Sequence, residues 1–326
     1  MAREMQQDAA APVLPATPPV IGTIAEPMAH RIDMNQFDNV VDGTGIDGKT
    51  GNFLFTVGGV GSGKSTLQNF LVHRLHVDET IDFDRTGNDG NGLSAAYLNA
   101  WVQNIAAGYL PERTTEGVLR EFNVRFGQPA RPRLNFSFIE IAGEDIRSIV
   151  PTAENRYPRL HEYLEKYLRQ TGVNKRFVFI SDASRNRIGK SRYEEDMLFD
   201  TLIRYLLSDT GIGLKSLNVL FIAAKWDVVQ NEYQSDRQYF RTNFPQTRST
   251  IKAHSNIRAA YMPFSVGHVV LEKYDGAQAV ARLKSIEKKY VEILINWIYH
   301  SFTQRTLRGY PKVTPTLWDK VKNYLA

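Results

Sequence analysis

The sequence predicts an α/β protein of three layers, built on a mainly parallel sheet of about six strands, and three features carry that expectation. From Phe53 onward, short apolar runs alternate with longer stretches of helical periodicity, as in a sheet whose strands are joined by crossover helices. Two runs, Phe177-Val178-Phe179-Ile180 and Val219-Leu220-Phe221-Ile222, are apolar without a break, which suits strands covered on both faces. Between the opening apolar run Phe53–Val57 and the first helical stretch lies a glycine-rich turn, Gly58-Gly59-Val60-Gly61-Ser62-Gly63.

Taken in order, the chain opens on a Pro/Ala-rich leader, residues 1–40, with Pro12, Pro15, Pro18, Pro19 and Pro27 in its first thirty positions. Proline fixes φ and removes a hydrogen-bond donor, so this leader is expected to be extended and disordered. A globular domain follows over 41–308, with strands expected at 53–57, 119–126, 134–141, 176–181, 217–224 and 258–264. Leu198, Leu202 and Tyr205 recur at helical spacing. Leu283, Ile286, Tyr290, Ile293, Trp297 and Phe302 predict a long closing helix, ended by Gly309 and Pro311. Residues 309–326 form a C-terminal tail with a short helix near Trp318. Between the first helix and the next motif, 68–113 reads as an inserted segment; its run Gly87-Asn88-Asp89-Gly90-Asn91-Gly92 marks a long loop, and loops of that length are usually functional or disordered.

Composition narrows the classes. Hydrophobic residues at 42% and charged ones at 23% fit a globular chain and exclude collagen-like or coiled-coil types. With no cysteine, disulfides, thiolate metal sites and thiol nucleophiles are excluded, which fits a reducing cytoplasm. No apolar stretch approaches the roughly 18 residues of a membrane span. The net charge of +5 is uneven: residues 280–326 hold nine basic and three acidic side chains, residues 1–50 three basic and seven acidic. Nothing in the basic end resembles an aromatic-interleaved nucleic-acid platform, so nucleic acid is not an expected partner.

Gly58 to Ser65 spells G-x-x-x-x-G-K-S between a strand and a helix, the setting that gives this motif its meaning. Its glycines let backbone N–H groups of Gly58, Gly59, Val60, Gly61, Ser62 and Gly63 turn toward a phosphate. Lys64 directs a full charge at the β- and γ-phosphates, Ser65 offers a hydroxyl to Mg²⁺, and Thr66 continues the helix N-terminus. The motif does not name the base. For that, Ala224-Lys225-Trp226-Asp227 closes the fifth strand: the Asp227 carboxylate can accept both the N1–H and the amine of guanine, a donor pair adenine lacks, with the Lys225 stem along the base plane. Ser265 and Val266 end the last strand, where a backbone N–H can meet the guanine carbonyl.

In this order the motifs resemble the P-loop GTPases of the Ras-like and translation-factor class, over residues 53–305. The resemblance implies a three-layer P-loop NTPase G domain that binds GTP and GDP with Mg²⁺. It assigns Lys225-Trp226-Asp227 to guanine, with Ala224 where the family carries Asn or Thr. Ile139-Glu140-Ile141-Ala142-Gly143-Glu144 corresponds to Asp-x-x-Gly: Glu140 would orient a Mg²⁺-bound water, Gly143 would give its N–H to the γ-phosphate, and Glu144 stands where the family has its water-orienting Gln. Thr114 or Thr115 would complete the Mg²⁺ shell from the first switch, with Arg113 beside them as an arginine in cis. The long spacer, the Glu-x-x-Gly-Glu form and the shortened Lys-x-Asp are most similar to bacterial double-GTPase-type families. A slow, Mg²⁺-dependent GTPase switch is therefore expected, cytoplasmic, and engaging a protein partner through its switch regions and inserted segment. A nucleotide-bound scaffold that does not hydrolyse, and an ATP-using enzyme, remain as alternatives.

Overall fold

The computed structural model describes residues 31–32, 48–84, 93–111, 119–141, 143–150, 160–185, 189–208, 211–272 and 280–312. The chain runs β1 (Gly51–Val57), α1 (Lys64–Val77), β2 (Asp82–Asp84), α2 (Leu93–Ala106), β3 (Leu119–Gly127), β4 (Leu134–Ile141), α3 (Gly143–Arg147) and α4 (Glu162–Arg169). It continues through β5 (Val173–Asp182), α5 (Gly189–Leu207), β6 (Leu217–Ala224), α6 (Trp226–Val229), α7 (Asp236–Asn243) and α8 (Pro245–Ala253). The last elements are β7 (Ile257–Phe264), β8 (Gly267–Glu272), β9 (Val280–Ile286) and α9 (Lys288–Thr303).

A seven-stranded sheet of order β2-β3-β4-β1-β5-β6-β7 forms the middle layer. The strands β4, β1, β5, β6 and β7 pair in parallel, while β3 runs antiparallel to β4 and β2 antiparallel to β3. The expected fold class is therefore observed, with β2 as the extra edge strand. Alternation along the strands sends side chains to two separate cores. On β1, Leu54 packs with Leu67, Phe70 and Leu71 of α1 and with Leu294 and Ile298 of α9, whereas Phe53 and Phe55 pack with Tyr167 of α4 and Phe199 of α5. On β6, Leu220 and Ile222 join the first core, Val219 and Phe221 the second. Covering on both faces explains the unbroken apolarity of β5 and β6.

Three expectations change. The inserted segment is not one long loop: α1 extends to Val77, and α2 packs Tyr97, Leu98, Trp101 and Ile105 into the first core. Trp101 stands edge-on to Phe122 of β3, with ring centroids 4.8 Å apart. The closing helix begins at Lys288 rather than Leu283, because 280–286 pairs antiparallel with β8 as a two-stranded ribbon. It ends at Thr303 with Gln304 in the left-handed region (φ 59°), well before Gly309 and Pro311. The short helix expected near Trp318 lies outside the described residues, as does the leader apart from Arg31 and Ile32. Ile32 is held to α2, its N donating to Asn104 Oδ1 and its O accepting from Asn104 Nδ2, both at 2.9 Å, and Arg31 Nη2 donates to Leu110 O at 2.8 Å.

The β8–β9 ribbon is fastened to the turn that ends α2. Tyr109 forms a bridge with Arg282, and Leu283 N donates to Gly108 O at 2.9 Å. The buried Arg282 guanidinium lies 3.7 Å from the Tyr109 ring centroid and donates to Ala107 O at 3.1 Å. Among the described residues, no helix is long and apolar enough to cross a membrane.

Candidate functional site

Among the described residues, the phosphate turn, Glu140 and Gly143, Ala224–Asp227 and Ser265–Val266 lie at the C-terminal edge of the parallel strands, the edge where ligands sit in open α/β sheets. The turn 58–63 joins β1 to α1, with Gly61 at φ 70° and Gly63 at φ 98° as the residue before the helix. Ser62 N donates back to Gly59 O at 3.2 Å, and Leu67 N to Gly63 O at 2.9 Å, so the turn runs directly into the helix. Lys64 is 6% exposed. Its ammonium donates to Gly58 O at 2.9 Å and Gly59 O at 3.1 Å, which holds a full positive charge across the turn. Val60 and Thr66 are half-buried, while Ser62 is buried and its hydroxyl has no partner among the described residues.

The third and fourth strands bring the carboxylate. Glu140, 1% exposed near the end of β4, accepts from the Ser65 hydroxyl at 2.7 Å on Oε1 and from the Tyr97 hydroxyl at 3.0 Å on Oε2. The sequence reading brought Ser65 and Glu140 to one site, and the structure joins them directly. Tyr97 was missed, since nothing local marks a tyrosine in α2 as the neighbour of a residue forty-three positions later. Gly143, at the start of α3, meets the turn closely: a Cβ there would lie 2.6 Å from Val60 N, so no larger residue fits without moving the loop. Glu144 follows it in α3; its side chain lies outside the described residues, as do Arg113, Thr114 and Thr115.

At the other end of the crevice, pairing register does the positioning. Asp182 lies opposite Ala224, and Ala224 opposite Phe264, so the residues that follow these strand ends are neighbours. Lys225 adopts the left-handed region (φ 56°) and starts α6, which carries Asp227. Asp227 is exposed, whereas Trp226 between them is buried against the second core. Ala224 approaches the phosphate turn: a Cβ on Gly63 would lie 3.8 Å from its own. Ser265 is buried, and Val266 O accepts from Glu287 N at 3.0 Å, which ties this loop to the start of α9.

Two carboxylates here escaped the sequence reading. Asp182, at the end of β5, is wholly buried, with Lys225 Nζ 2.6 Å from its Oδ2 and Arg185 Nε 3.3 Å from the same oxygen. On α5, Glu195 accepts from Ser181 Oγ at 2.7 Å, and its Oε1 lies 3.6 Å from where a Cβ on Gly59 would be. Neither belongs to a contiguous motif, because both reach the site through β5–α5, a connection that the loop spacings do not reveal.

The residues present fit a nucleotide with Mg²⁺. One hydroxyl and one carboxylate in contact are the small protein share that Mg²⁺ takes when phosphates and water supply most of its octahedron. Among the described residues, no cluster of three His, Cys, Asp or Glu offers an all-protein cage for a metal.

Searches against protein-family models and curated proteins gave no match for this chain. Solved structures give remote likenesses. The signal recognition particle receptor SRb-GTP/SRX complex from Chaetomium thermophilum matches over 67% of this chain and 91% of its own, at 13% identity and a TM-score of 0.35. The bacterial selenocysteine-specific elongation factor EF-Sec matches over 67% of this chain and 26% of its own, at 10% identity and 0.30. The S. cerevisiae Ski7 GTPase-like domain, bound to GDP and inorganic phosphate, matches over 72% and 45%, at 13% identity and 0.31. At such identities and scores, this chain's own residues must carry any functional conclusion.

Proposed function

We propose that this chain is a guanine-nucleotide-binding protein of the P-loop type, a slow Mg²⁺-dependent GTPase switch that acts with a protein partner. The observation that carries the reading is the 2.7 Å contact between the Ser65 hydroxyl and the Glu140 carboxylate, beside an ammonium held across the turn by two loop carbonyls. A glycine-rich turn used only as a connector has no need of a buried lysine, a facing carboxylate and a second glycine pressed against it. The phosphates would lie along the N–H groups of 58–65, facing Lys64, with the positive end of α1 behind them. Ser65 and Glu140 would hold Mg²⁺, which neutralises charge on the β- and γ-phosphates. Gly143, packed on Val60, lets the segment after β4 sense the γ-phosphate position.

Guanine is favoured over adenine by Asp227, with Lys225 and the Ser265–Val266 loop on neighbouring strand ends. Slow hydrolysis follows from Glu144, a carboxylate where an amide would orient water. The partner surface is assigned to the switch segments and the inserted segment, whose α2 turns its apolar side to the first core. The test is direct. Protein purified without added nucleotide is denatured and its released nucleotide identified by ion-exchange chromatography. Guanine nucleotide supports the reading, and adenine nucleotide overturns the base assignment. A single-turnover phosphate-release measurement then separates slow hydrolysis from none.

A further inference from the structure

We infer that Arg185 is a phosphate-binding residue supplied in cis, with Asp182 as the positioning residue that holds it over the phosphate turn. The inference rests on the reading of 58–66 as a nucleotide phosphate loop. Arg185 lies just beyond β5, so it leaves the sheet at the same edge as the turn itself.

The anchor comes first. Asp182 has no solvent exposure, and a buried carboxylate needs paired charge and filled lone pairs. Ser184 fills one side, donating to Oδ1 through N at 3.1 Å and through Oγ at 2.6 Å. Oδ2 is shared by two cations, Lys225 Nζ at 2.6 Å and Arg185 Nε at 3.3 Å. One carboxylate could balance either cation alone. Lys225 and Arg185 thus share one carboxylate oxygen, at an edge where the proposed ligand is a polyanion.

The reach follows. From Asp182 the guanidinium crosses to the turn, where Nη1 donates to Val60 O. Nη2 lies 2.7 Å from the position a Cβ would take on Gly61, at the turn's exposed apex. With φ 70°, Gly61 is in the region glycine favours, and its missing side chain is the space the guanidinium occupies. Arg185 remains 53% exposed, so the part of the fork not spent on Asp182 and Val60 O meets solvent beside the turn. Arginine presents five N–H groups in a fixed fork that matches phosphate geometry, whereas lysine is a single point of charge. Holding Val60 O also turns the neighbouring peptide, and so helps present loop N–H groups to the ligand.

Arg185→Gln tests this, with Arg185→Lys beside it, in equilibrium titrations of GTP and GDP and a competition titration of GMP. Thermal melting of the nucleotide-free proteins is measured in parallel. Arg185→Gln is expected to weaken GTP about 10- to 100-fold, since a charge-assisted hydrogen bond is lost, and GMP less than threefold. It should also flatten the salt dependence of GTP affinity, while the melting temperature of the free protein stays within about 2 °C, as for a change at an exposed side chain. Arg185→Lys should recover part of the loss. If wild type binds GTP and Arg185→Gln binds it equally well, or loses GTP and GMP by the same factor, Arg185 is a loop clamp only and the inference is overturned. If wild type binds no nucleotide at all, the phosphate-loop reading itself fails.

Discussion

The crevice has two ends of different construction. At the phosphate end, Lys64 and Glu140 are buried, Lys64 donating to Gly58 O and Gly59 O and Glu140 accepting from Ser65 and Tyr97. At the base end, Asp227 is exposed on the four-residue helix α6, and Lys225 is 47% exposed with its ammonium turned to Asp182. Charges held in a low-dielectric setting act more strongly than charges in water, so the phosphate end should dominate affinity. The base end should contribute selectivity, through directed hydrogen bonds that compete with solvent.

The largest effect that comparison predicts is at Lys64. Lys64→Ala removes charge-assisted bonds to two phosphates at about 1.5–3 kcal/mol each, so triphosphate affinity should fall about 10²–10⁴-fold. Calorimetry with GTP checks it, and circular dichroism checks that the fold persists. Unchanged affinity would remove the phosphate end from the site altogether.

Asp227→Asn comes next. It replaces an acceptor with a donor facing the guanine N1–H, and two mismatched bonds at an exposed position should cost about 10²-fold in GTP affinity. Xanthine carries a carbonyl where guanine has its amine, so XTP should recover part of that loss. Competition of GTP, XTP and ATP for both proteins reads the outcome. A GTP:XTP ratio that does not change, or a wild type that prefers ATP, would show that Asp227 does not read the base.

The two ends also differ in how legible they were. The phosphate end is local: a strand, a turn and a helix N-terminus in one run of residues, each with its own signal, and the central strands announce themselves by unbroken apolarity. Glu140 could be placed because Glu140-Ile141-Ala142-Gly143 closes a strand and resembles Asp-x-x-Gly. What escaped was tertiary. Tyr97 and Trp101 of α2 have helical spacing, yet the glycine run before them suggested one long loop, and only packing on Phe122 settles α2 as a core element. Leu283 and Ile286 suit a helix as well as a strand, and the deciding fact is a partner strand at 267–272, which no local period records. Asp182 meets Lys225 at the base end, and Arg185 meets Val60 at the phosphate turn, only through strand register and a loop crossing.

A smaller effect should follow at Tyr97. Its hydroxyl donates to Glu140 Oε2, and Tyr97→Phe leaves a buried carboxylate oxygen without that partner. With Glu140 less firmly held, the Mg²⁺ concentration that half-saturates GTP binding should rise about three- to tenfold, the effect of roughly 1 kcal/mol of lost hydrogen bonding. GDP binding measured in EDTA should be unchanged. An equal loss with and without Mg²⁺ would mean that Tyr97 supports only the packing of α2.

The smallest predicted effect is a gain, at the point where the two ends nearly touch. Ala224 is buried, and a Cβ on Gly63 would sit 3.8 Å from the alanine methyl, so base loop and phosphate turn meet here without a polar link. The resemblance drawn from the motifs places Asn or Thr at this position, with a side chain that ties the two loops together. Ala224→Asn would introduce an amide within reach of the turn's backbone, and one net hydrogen bond is worth about 0.5–1.5 kcal/mol, or about two- to tenfold in GTP affinity. Burying an amide without a partner costs more than that, so the sign of the change is informative. Tighter GTP binding with an unchanged or higher melting temperature would show that the separate construction of the two ends limits affinity. Weaker binding with a lower melting temperature would show that the turn has no group to receive the amide, and that alanine is the residue this contact requires.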